Sequence, residues 1–249
     1  MREKGLYSVQ AVVKAIDLLE ALAQGSERPT IIVLEKKLGL SHNKAFRLLA
    51  TLEDKGLVER NSTTNTYSLG LQAFEMAQHI LKSDNLIRIV HPIMVDLARK
   101  LDEAVYFTIA NNDEVLFLDM VDSFQQIKTA DLVGRRFPFF TNAAGKVIKS
   151  VSSIDLFKRR GIPNIRELEI ELKEISRKGV AVDFNGLGEG ICSVAVVIRD
   201  YAGKVVGALT LLAPSFRMLQ ERLEQEVIPS MLEGGELLSM KFGYSRAYS

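Results

Sequence analysis

Apolar residues recur every three or four positions through most of the first 55 residues, which is the spacing of helices with one buried face. The pattern predicts a helix over Val9 to Leu22 and a short helix over Ile31 to Leu38, which Thr30 can cap. Residues 25–29 are expected to form the loop between them. A third helix follows after a few residues, which predicts a small helical domain with a tight turn.

The third helix, which starts after Ser41, has two unlike faces. Its buried face is formed by apolar residues at helical spacing: Ala45, Leu48, Leu49 and Leu52. Its polar residues lie elsewhere on the first turns: His42, Asn43, Lys44 and Arg47. Side chains of these types can donate hydrogen bonds to base edges and phosphates. The alternative interpretation is an ordinary solvated helix end.

The ends of this helix carry their own signals. Ser41 is a suitable N-cap, and Gly56 stands where a left-handed residue would end the helix. Lys44 lies where a carboxylate would suit the helix dipole better. A nearby DNA phosphate would make a cation favourable at this position, so Lys44 points towards a nucleic-acid partner.

A short hairpin follows the third helix. Residues 57–60 predict a strand, residues 61–65 are turn formers, and residues 66–69 alternate as the return strand. Three helices and a hairpin, complete by Gly70, are the order of a winged helix-turn-helix, which places one helix in the DNA major groove. The candidate DNA contacts lie on this helix and on the hairpin, or wing: Ser41, His42, Asn43, Lys44, Arg47, Arg60, Thr64 and Asn65.

The pattern changes after Gly70 and predicts a second domain. Leu71 to Leu81 has the spacing of a helix, residues 83–85 interrupt it, and Ile87 to Leu101 resumes a helix. We therefore expect a DNA-binding domain at residues 1–70, a connector helix at 71–85, and a second domain at 86–249.

The second domain mixes strands and helices. The predicted elements are strands at 104–110, 114–121, 180–183, 191–199 and 205–212, and helices at 142–151, 165–178 and from Phe216 to about Phe242. A turn at 111–113 joins the first two strands, and the last helix is expected to kink at Pro229. The hairpins favour an α+β sheet domain over a doubly wound one.

Composition limits the class of protein. The 249 residues carry a formal net charge of +1, which fits a specific reader with a local basic face better than a protein that coats nucleic acid. The single cysteine, Cys192, excludes an internal disulfide framework and suggests a reducing, cytoplasmic compartment. Residues 1–20 lack the apolar run of a signal peptide, and no stretch approaches the roughly 18 apolar residues of a membrane span.

The residues that enzyme chemistry needs are not expected to meet. The glycines of residues 186–190 resemble half of a dinucleotide fingerprint, but the order of elements is wrong, and a flexible loop is the better interpretation. The chain has three histidines, all in or near the first domain and its connector: His42, His79 and His91. A base is therefore not expected beside Cys192 or Ser193, and a histidine-rich metal site is disfavoured. We expect no enzyme activity, no cofactor and no metal. A pure protein-interaction module would leave the polar face of the third helix unexplained.

Motifs in both halves resemble the IclR family of bacterial transcription regulators, over residues 8 to about 242. They are residues 47–52, 56–58 and 67–70 in the first domain, and 133–139, 143–146, 177–183, 190 and 200–209 in the second. The resemblance implies a winged helix-turn-helix joined by a helix to a C-terminal effector-binding domain of GAF-like shape. It also implies a dimer or a dimer of dimers, with a small organic acid, often an aromatic one, as the effector.

The resemblance implies an effector pocket in the second domain. Asn142 can cap a helix that begins at Ala143, which would leave the backbone N–H groups of residues 143–145 free to bind a carboxylate. Phe140 and Leu212 stand where polar residues are common in the family, which favours an apolar or aromatic ligand body. The effector residues so implied are Phe139, Ala143, Ala144, Asp183, Ile191, Ser193, Thr210 and Leu212. The alternative is that they are ordinary loop and core residues.

These observations predict a ligand-responsive, sequence-specific DNA-binding transcriptional regulator. Its expected partners are a double-stranded DNA operator, a small organic acid and further copies of the chain. No association with a membrane is expected. Repression is the family default, and activation of a catabolic operon is the alternative.

Overall fold

The computed structural model describes residues 8–23, 28–83, 85–112, 114–151 and 164–245. The chain divides into two compact units, Met1–Asn85 and Leu86–Ser249. Each unit has a hydrophobic core of its own. The α+β fold class expected from the sequence is confirmed.

The first unit is a helix-turn-helix with a wing. Its elements are α1 (Gln10–Ala23), α2 (Ile31–Leu38), α3 (His42–Asp54), β1 (Val58–Asn61), β2 (Thr66–Leu69) and α4 (Leu71–Ser83). Leu18, Leu34, Leu49 and Tyr67 meet in its core, so helices and wing pack on one another. Leu48, which we expected on the buried face of α3, is only half-buried.

The two ends of α3 differ in how they are capped. Gly56 adopts a positive φ of 67°, its N–H donates to Glu53 O at 2.9 Å, and the Leu57 N–H donates to Leu52 O at 2.9 Å. These two hydrogen bonds form a Schellman motif, which ends the helix as predicted. Ser41 occupies the N-cap position, but the prediction of a side-chain cap is wrong, because its hydroxyl makes no cap hydrogen bond. Thr30, before α2, likewise makes none.

The second unit is built on one antiparallel sheet. Its elements are α5 (Asn85–Leu101), β3 (Ala104–Asn111), β4 (Glu114–Val121), β5 (Arg136–Pro138), α6 (Ala143–Ser150), α7 (Ile165–Lys178), β6 (Val180–Phe184), β7 (Ile191–Arg199), β8 (Val205–Pro214), α8 (Gln220–Arg222) and α9 (Ile228–Lys241). Within the described residues the sheet has six strands in the order β5-β4-β3-β8-β7-β6. The central pair β7 and β8 is almost wholly buried, as their continuous apolar sequences predicted.

Helices cover both faces of this sheet. Alternate strand residues point to opposite faces, so Val105 and Leu211 pack with α5 and α9, whereas Ala104 and Leu212 pack with α6 and α7. The face under α6 and α7 carries the residues expected to bind an effector. The opposite face packs against α5 and α9 in a hydrophobic core.

Some elements differ from the prediction. β5 was not predicted, because three residues ending in a proline give little strand signal at a sheet edge. The last helix begins at Gln220 rather than Phe216, and residues 215–217 form a separate 3₁₀ turn. A π-helical turn over Leu223–Val227 precedes Pro229, at the place where a kink was expected.

Some predictions lie on parts of the chain outside the described residues. They are residues 25–27 of the first loop, Asp84 of the interruption and Asp113 of the turn. No helix in the described part of the chain is both long and apolar enough to cross a membrane.

Candidate nucleic-acid interface and effector site

The first turns of α3 present a polar surface to solvent. The residues predicted to contact DNA here are all exposed: Ser41, His42, Asn43, Lys44 and Arg47. Ala45, Leu49 and Leu52 anchor the opposite side of the helix in the core. Phe46 is half exposed beside Arg47, and it adds a large apolar side chain to the same surface. The helix therefore offers amide, imidazole and cationic donors on a rigid support.

His42 has a carboxylate partner. Its Nδ1 lies 2.6 Å from Oε1 of Glu35, which is on α2. The His42 side chain remains 71% exposed, so the contact orients the ring without burying it. Sequence reasoning missed this link, because the two residues belong to different helices.

The wing presents the other predicted DNA contacts. Arg60 Nη2 donates to Asn65 Oδ1 at 2.7 Å, and the hydroxyls of Thr64 and Thr66 lie 2.8 Å apart. The backbone N–H groups of Thr63 and Thr64 donate to Asn61 Oδ1, which closes the loop locally. Arg60, Thr64 and Asn65 are exposed, so the wing tip has a defined shape and free access to solvent.

A segment between α1 and α2 braces the wing. The Tyr67 N–H donates to Pro29 O at 2.9 Å, and Thr30 forms a β-bridge with Thr66. The Tyr67 side chain is buried in the core. The two-residue contact is too short to leave a strand pattern in the sequence, which is why it was not predicted.

The predicted effector residues converge on one face of the second unit's sheet. Asp183, Ser193 and Leu212 are register partners in a row across β6, β7 and β8. Thr210 lies two residues before Leu212, and its hydroxyl is 3.2 Å from that of Thr108. Phe139, Ala143 and Ala144 cover this face from the turn before α6 and from its first turn. Ile191, at the start of β7, is half-buried against the same cluster.

Tyr106 is a polar residue of this face that sequence reasoning missed. It pairs with Thr210 across β3 and β8, and its hydroxyl donates to Ala130 O at 3.3 Å. Burial raises the pKa of Tyr106 from 10.0 to about 12, so the hydroxyl keeps its proton to a higher pH than in an exposed tyrosine. Tyr106 lies within the mostly apolar sequence of β3, so its polar role was not predicted.

The start of α6 corrects one expectation. The Asn142 side chain caps the helix, as predicted, by accepting from the Gly145 N–H at 3.0 Å. The Ala143 N–H donates to Ser193 Oγ at 3.4 Å. Two of the three donors expected to be free are therefore already engaged inside the protein. An added Cβ at Gly145 would lie 2.0 Å from Phe139 O, so the backbone is also closely packed here.

Lys146 forms a charged link beside this helix start. Its Nζ lies 2.8 Å from Asp183 Oδ2 and 2.8 Å from Glu171 Oε1. Burial alone would lower the pKa of Lys146, but the hydrogen bonds and charges of the two carboxylates raise it. The sequence does not predict these ion pairs, because Glu171 on α7 and Asp183 on β6 lie far from Lys146 along the chain.

Asp183 also holds the glycine-rich loop. Its Oδ1 accepts from the Gly186 N–H at 2.9 Å. A Cβ at Gly186 would lie 1.8 Å from Thr141 O, so only glycine allows this loop to sit against the turn before α6. The loop thus packs against one end of the face at Gly186, and the dinucleotide interpretation is not needed.

Cys192 has no features of a catalytic nucleophile. Its side chain is fully buried, and burial raises the pKa of its thiol to about 12. Among the described residues, no group of three or more potential metal ligands comes together.

The sequence matches two family descriptions over most of its length. Residues 78–240 match "Bacterial transcriptional regulator IclR C-terminal", and residues 11–62 match "IclR helix-turn-helix domain". The first of these alone covers more than half of the chain.

Similar proteins point the same way. The chain is 28% identical over 250 residues to the "HTH-type transcriptional regulator KdgR" of Escherichia coli (strain K12), covering 95% of this chain and 94% of that protein. It is 23% identical over 231 residues to the "Transcriptional repressor IclR" of the same organism, covering 87% and 84%.

Solved structures share the fold. The crystal structure of Thermotoga maritima IclR superimposes with a TM-score of 0.75 at 25% identity, over 94% of this chain and 99% of that one. An IclR homolog from Microbacterium hydrocarbonoxydans, complexed with 4-hydroxybenzoate, superimposes with a TM-score of 0.82 at 19% identity, over 94% and 100%.

Proposed function

Because this chain belongs to the IclR family of bacterial transcriptional regulators, and is a DNA-binding regulator rather than an enzyme, we propose that it reads a specific operator and that a small organic acid alters its binding. The observation that carries the DNA part is the exposed polar surface of α3 beside a braced wing. We take its DNA contacts to be the eight residues predicted from the sequence. Repression is the primary direction of regulation, as in the named repressor relatives, and activation is the alternative.

The proposal extends to the assembly and to the role of α4. A helix-turn-helix protein usually reads two half-sites with two recognition helices, so a second copy of the chain is expected. Three large side chains are exposed on α1, and a fourth is exposed just before it, all at helical spacing: Val12, Val13 and Ile16, preceded by Val9. An apolar stripe of this kind favours self-association of the first unit. In this scheme α4 connects the DNA-binding and effector domains, and the protein works in the cytoplasm.

The effector proposal rests on the face under α6 and α7. Ser193, Thr210 and Asp183 supply polar groups there, and Phe139, Ile191 and Leu212 supply apolar walls. In this conformation Ala143, Ser193 and Leu212 are almost fully buried, so a ligand has to separate packed atoms in order to enter. Ligand entry would therefore change the packing of α6 on the sheet, which is a means of signalling. The bound 4-hydroxybenzoate of a structural neighbour supports an aromatic acid as the first class to test.

DNA binding is tested by footprinting on the region upstream of the gene and of its neighbours, followed by substitution. Arg47→Ala is expected to weaken operator binding by about 1–3 kcal/mol, because a base-reading arginine makes a bidentate contact. Lys55→Ala is the matched control, since Lys55 is an exposed cation at the opposite end of the same helix. Equal losses on operator and random DNA would assign Arg47 to a phosphate. The lack of any footprint would reject the proposal.

The effector part is tested by the thermal unfolding of the full chain with benzoate-type acids and with hydroxylated aliphatic acids. A ligand at about 100 times its Kd stabilises the folded state by about 2.7 kcal/mol, which raises the melting temperature by several degrees. Ser193→Ala should reduce this shift, whereas Ser230→Ala, at a buried serine on α9, should not. Binding that ignores Ser193 would show that the pocket is elsewhere.

A further inference from the structure

The contact between Glu35 and His42 joins the two helices of the helix-turn-helix. Glu35 Oε1 lies 2.6 Å from the Nδ1 atom of the His42 ring. Glu35 is on α2, and His42 is the first residue of α3, the helix proposed to enter the major groove. The Glu35 side chain is 18% exposed and that of His42 is 71% exposed, so the carboxylate holds the ring from the protein side.

Glu35 is itself held in a fixed position. Its backbone carbonyl accepts from the N–H of Gly39, which ends α2 with a φ of 62°, and from the N–H of Leu40 at 3.0 Å. Leu34, the residue before it, is 1% exposed in the core of the first unit, and Leu40 packs against the same core. The backbone and side chain of one residue therefore position both the turn and the first side chain of α3.

The carboxylate determines which nitrogen of the His42 ring carries the proton. An ionised carboxylate has only acceptor atoms, so the Nδ1 atom that faces it has to be the donor. In a neutral imidazole one nitrogen donates and the other accepts, which leaves Nε2 with a free lone pair. Because Glu35 engages Nδ1, Nε2 is the ring atom left for a partner outside the protein. The neutral ring thus presents an acceptor on a surface where Lys44 and Arg47 can only donate.

We propose that Glu35 is a positioning residue for base recognition, which keeps His42 Nε2 as an acceptor for the exocyclic amino group of an adenine or a cytosine. These amino groups are the hydrogen-bond donors that base edges present in the major groove. The acceptor atoms of guanine would instead need a proton on Nε2. The proposal rests on the proposed function, because it requires the start of α3 to meet the base edges. A ring that is already oriented also loses little freedom on binding.

The first test determines the tautomer by NMR in the full-length protein without DNA, using isotope-labelled histidine at about pH 8.5, where a free imidazole is neutral. Ring nitrogens with and without a proton have well-separated resonances, and His42→Ala identifies the signals of His42. We expect the proton on Nδ1 in the wild type. In Glu35→Gln it should move partly to Nε2, because an amide can donate to Nδ1 as well as accept from it. His91, whose Nδ1 lies 2.7 Å from Asp119 Oδ2, is the control in the same spectrum and should not change.

The second test measures operator binding at the same pH, at the base pair whose preference His42→Ala removes. Deleting the amino group there, with purine for adenine or pyrimidinone for cytosine, should weaken wild-type binding about threefold to tenfold, the value of one hydrogen bond. A 7-deazapurine at the same base pair should leave the affinity unchanged. In Glu35→Gln the loss caused by amino deletion should fall below about twofold.

The readout is this ratio rather than the affinity, because removing one negative charge strengthens binding to any DNA. Glu53→Gln is the matched control. It removes the same charge from an exposed residue at the far end of α3, and it should keep the full loss on amino deletion. Circular dichroism checks folding, and Glu35→Ala, which leaves the ring without this partner, replaces Glu35→Gln if that variant unfolds.

Several results would overturn the proposal. A wild-type His42 ring with its proton on Nε2, or with protons on both nitrogens, would do so. Equal losses on amino deletion in Glu35→Gln and the wild type would do so too, as would unchanged base preferences in His42→Ala. The lack of any operator rejects the proposed function and the base contact together. A protein that binds its operator with an Nε2-protonated ring rejects the role of Glu35 alone.

Discussion

Cys192 shows how one buried group ties stability to pH. Its side chain lies in the core between the sheet and α5, and burial raises the pKa of its thiol from 9.0 to about 12. The unfolded chain therefore loses the thiol proton at a lower pH than the folded protein does. The stability that depends on this proton is complete below the unfolded pKa and is lost as pH rises towards the folded pKa.

We expect the wild type to lose about 1.4 kcal/mol more unfolding free energy than Cys192→Ala between about pH 8 and about pH 10. Urea unfolding followed by circular dichroism at both pH values measures this. Tyr106 and Lys146, whose pKa values are also raised, titrate in both proteins and cancel in the comparison. Equal losses in the two proteins would mean that the thiol is not buried as described.

Lys146 is expected to matter more to stability than its exposed partner Glu171. The side chains of Lys146 and Asp183 are 12% and 11% exposed, whereas that of Glu171 is 40% exposed. Lys146→Met leaves Asp183 buried without its cation and should cost about 2–4 kcal/mol. Glu171→Gln should cost less than about 1 kcal/mol, because that pair is largely solvated. Chemical denaturation of both variants at neutral pH makes the comparison, and similar costs would contradict it.

At the scale of elements, α9 approaches the sheet through two glycines. A Cβ at Gly235 would lie 2.7 Å from Val196 Cγ2, and one at Gly234 would lie 2.7 Å from Leu97 Cδ1. Both substitutions gain up to about 1 kcal/mol of helix propensity. They differ in the neighbour that has to move, since a β-branched valine is stiff and the end of a leucine is flexible.

Gly235→Ala should therefore lower the free energy of unfolding by about 1 kcal/mol more than Gly234→Ala does. Thermal or urea unfolding of the two variants side by side measures the difference. A larger loss for Gly234→Ala would show that α9 is seated differently on the sheet.

The elements were predicted well where a repeating pattern extends over several turns or strand residues. α7 runs from Ile165 to Lys178, and β4 from Glu114 to Val121, as the spacing indicated. The misses depend on contacts between distant residues or on a single side chain's choice of partner. Ser41 makes no cap hydrogen bond, β5 is defined by its pairing with β4, and Asp183 forms an ion pair with Lys146 that the sequence did not predict. None of these contacts produces a repeating pattern of residues in the sequence.

The candidate sites show the same limit. The exposed polar surface of α3 was predictable because exposure follows from helical phase alone. The proposed effector face was predicted through a family resemblance, but its closed packing was not. Whether the Ala143 N–H is free depends on Ser193, which lies fifty residues away in the sequence.

At the scale of the whole molecule, a net charge of +1 makes DNA affinity a local property. A phosphate contact changes the slope of log K against log salt by about 0.9, so Lys44→Ala in a dimer should reduce the slope by about 1.8. Lys55→Ala, away from the proposed surface, should leave the slope unchanged. Operator binding at several salt concentrations tests this, and an unaltered slope for Lys44→Ala would remove Lys44 from the phosphate contacts.

The pairing of β3 with β8 has a consequence for the folding of the chain during its synthesis on the ribosome. Thr108 and Ala208, which meet in this pair, are 100 residues apart in the chain. At synthesis rates of about 5–20 residues per second, β8 is made about 5–20 s after β3. The first unit depends on short-range contacts and emerges before that interval begins. During synthesis α3 would thus be complete while β8 is still missing. The edge of β3 that later pairs with β8 would be exposed in this interval, which makes it a binding site for a chaperone.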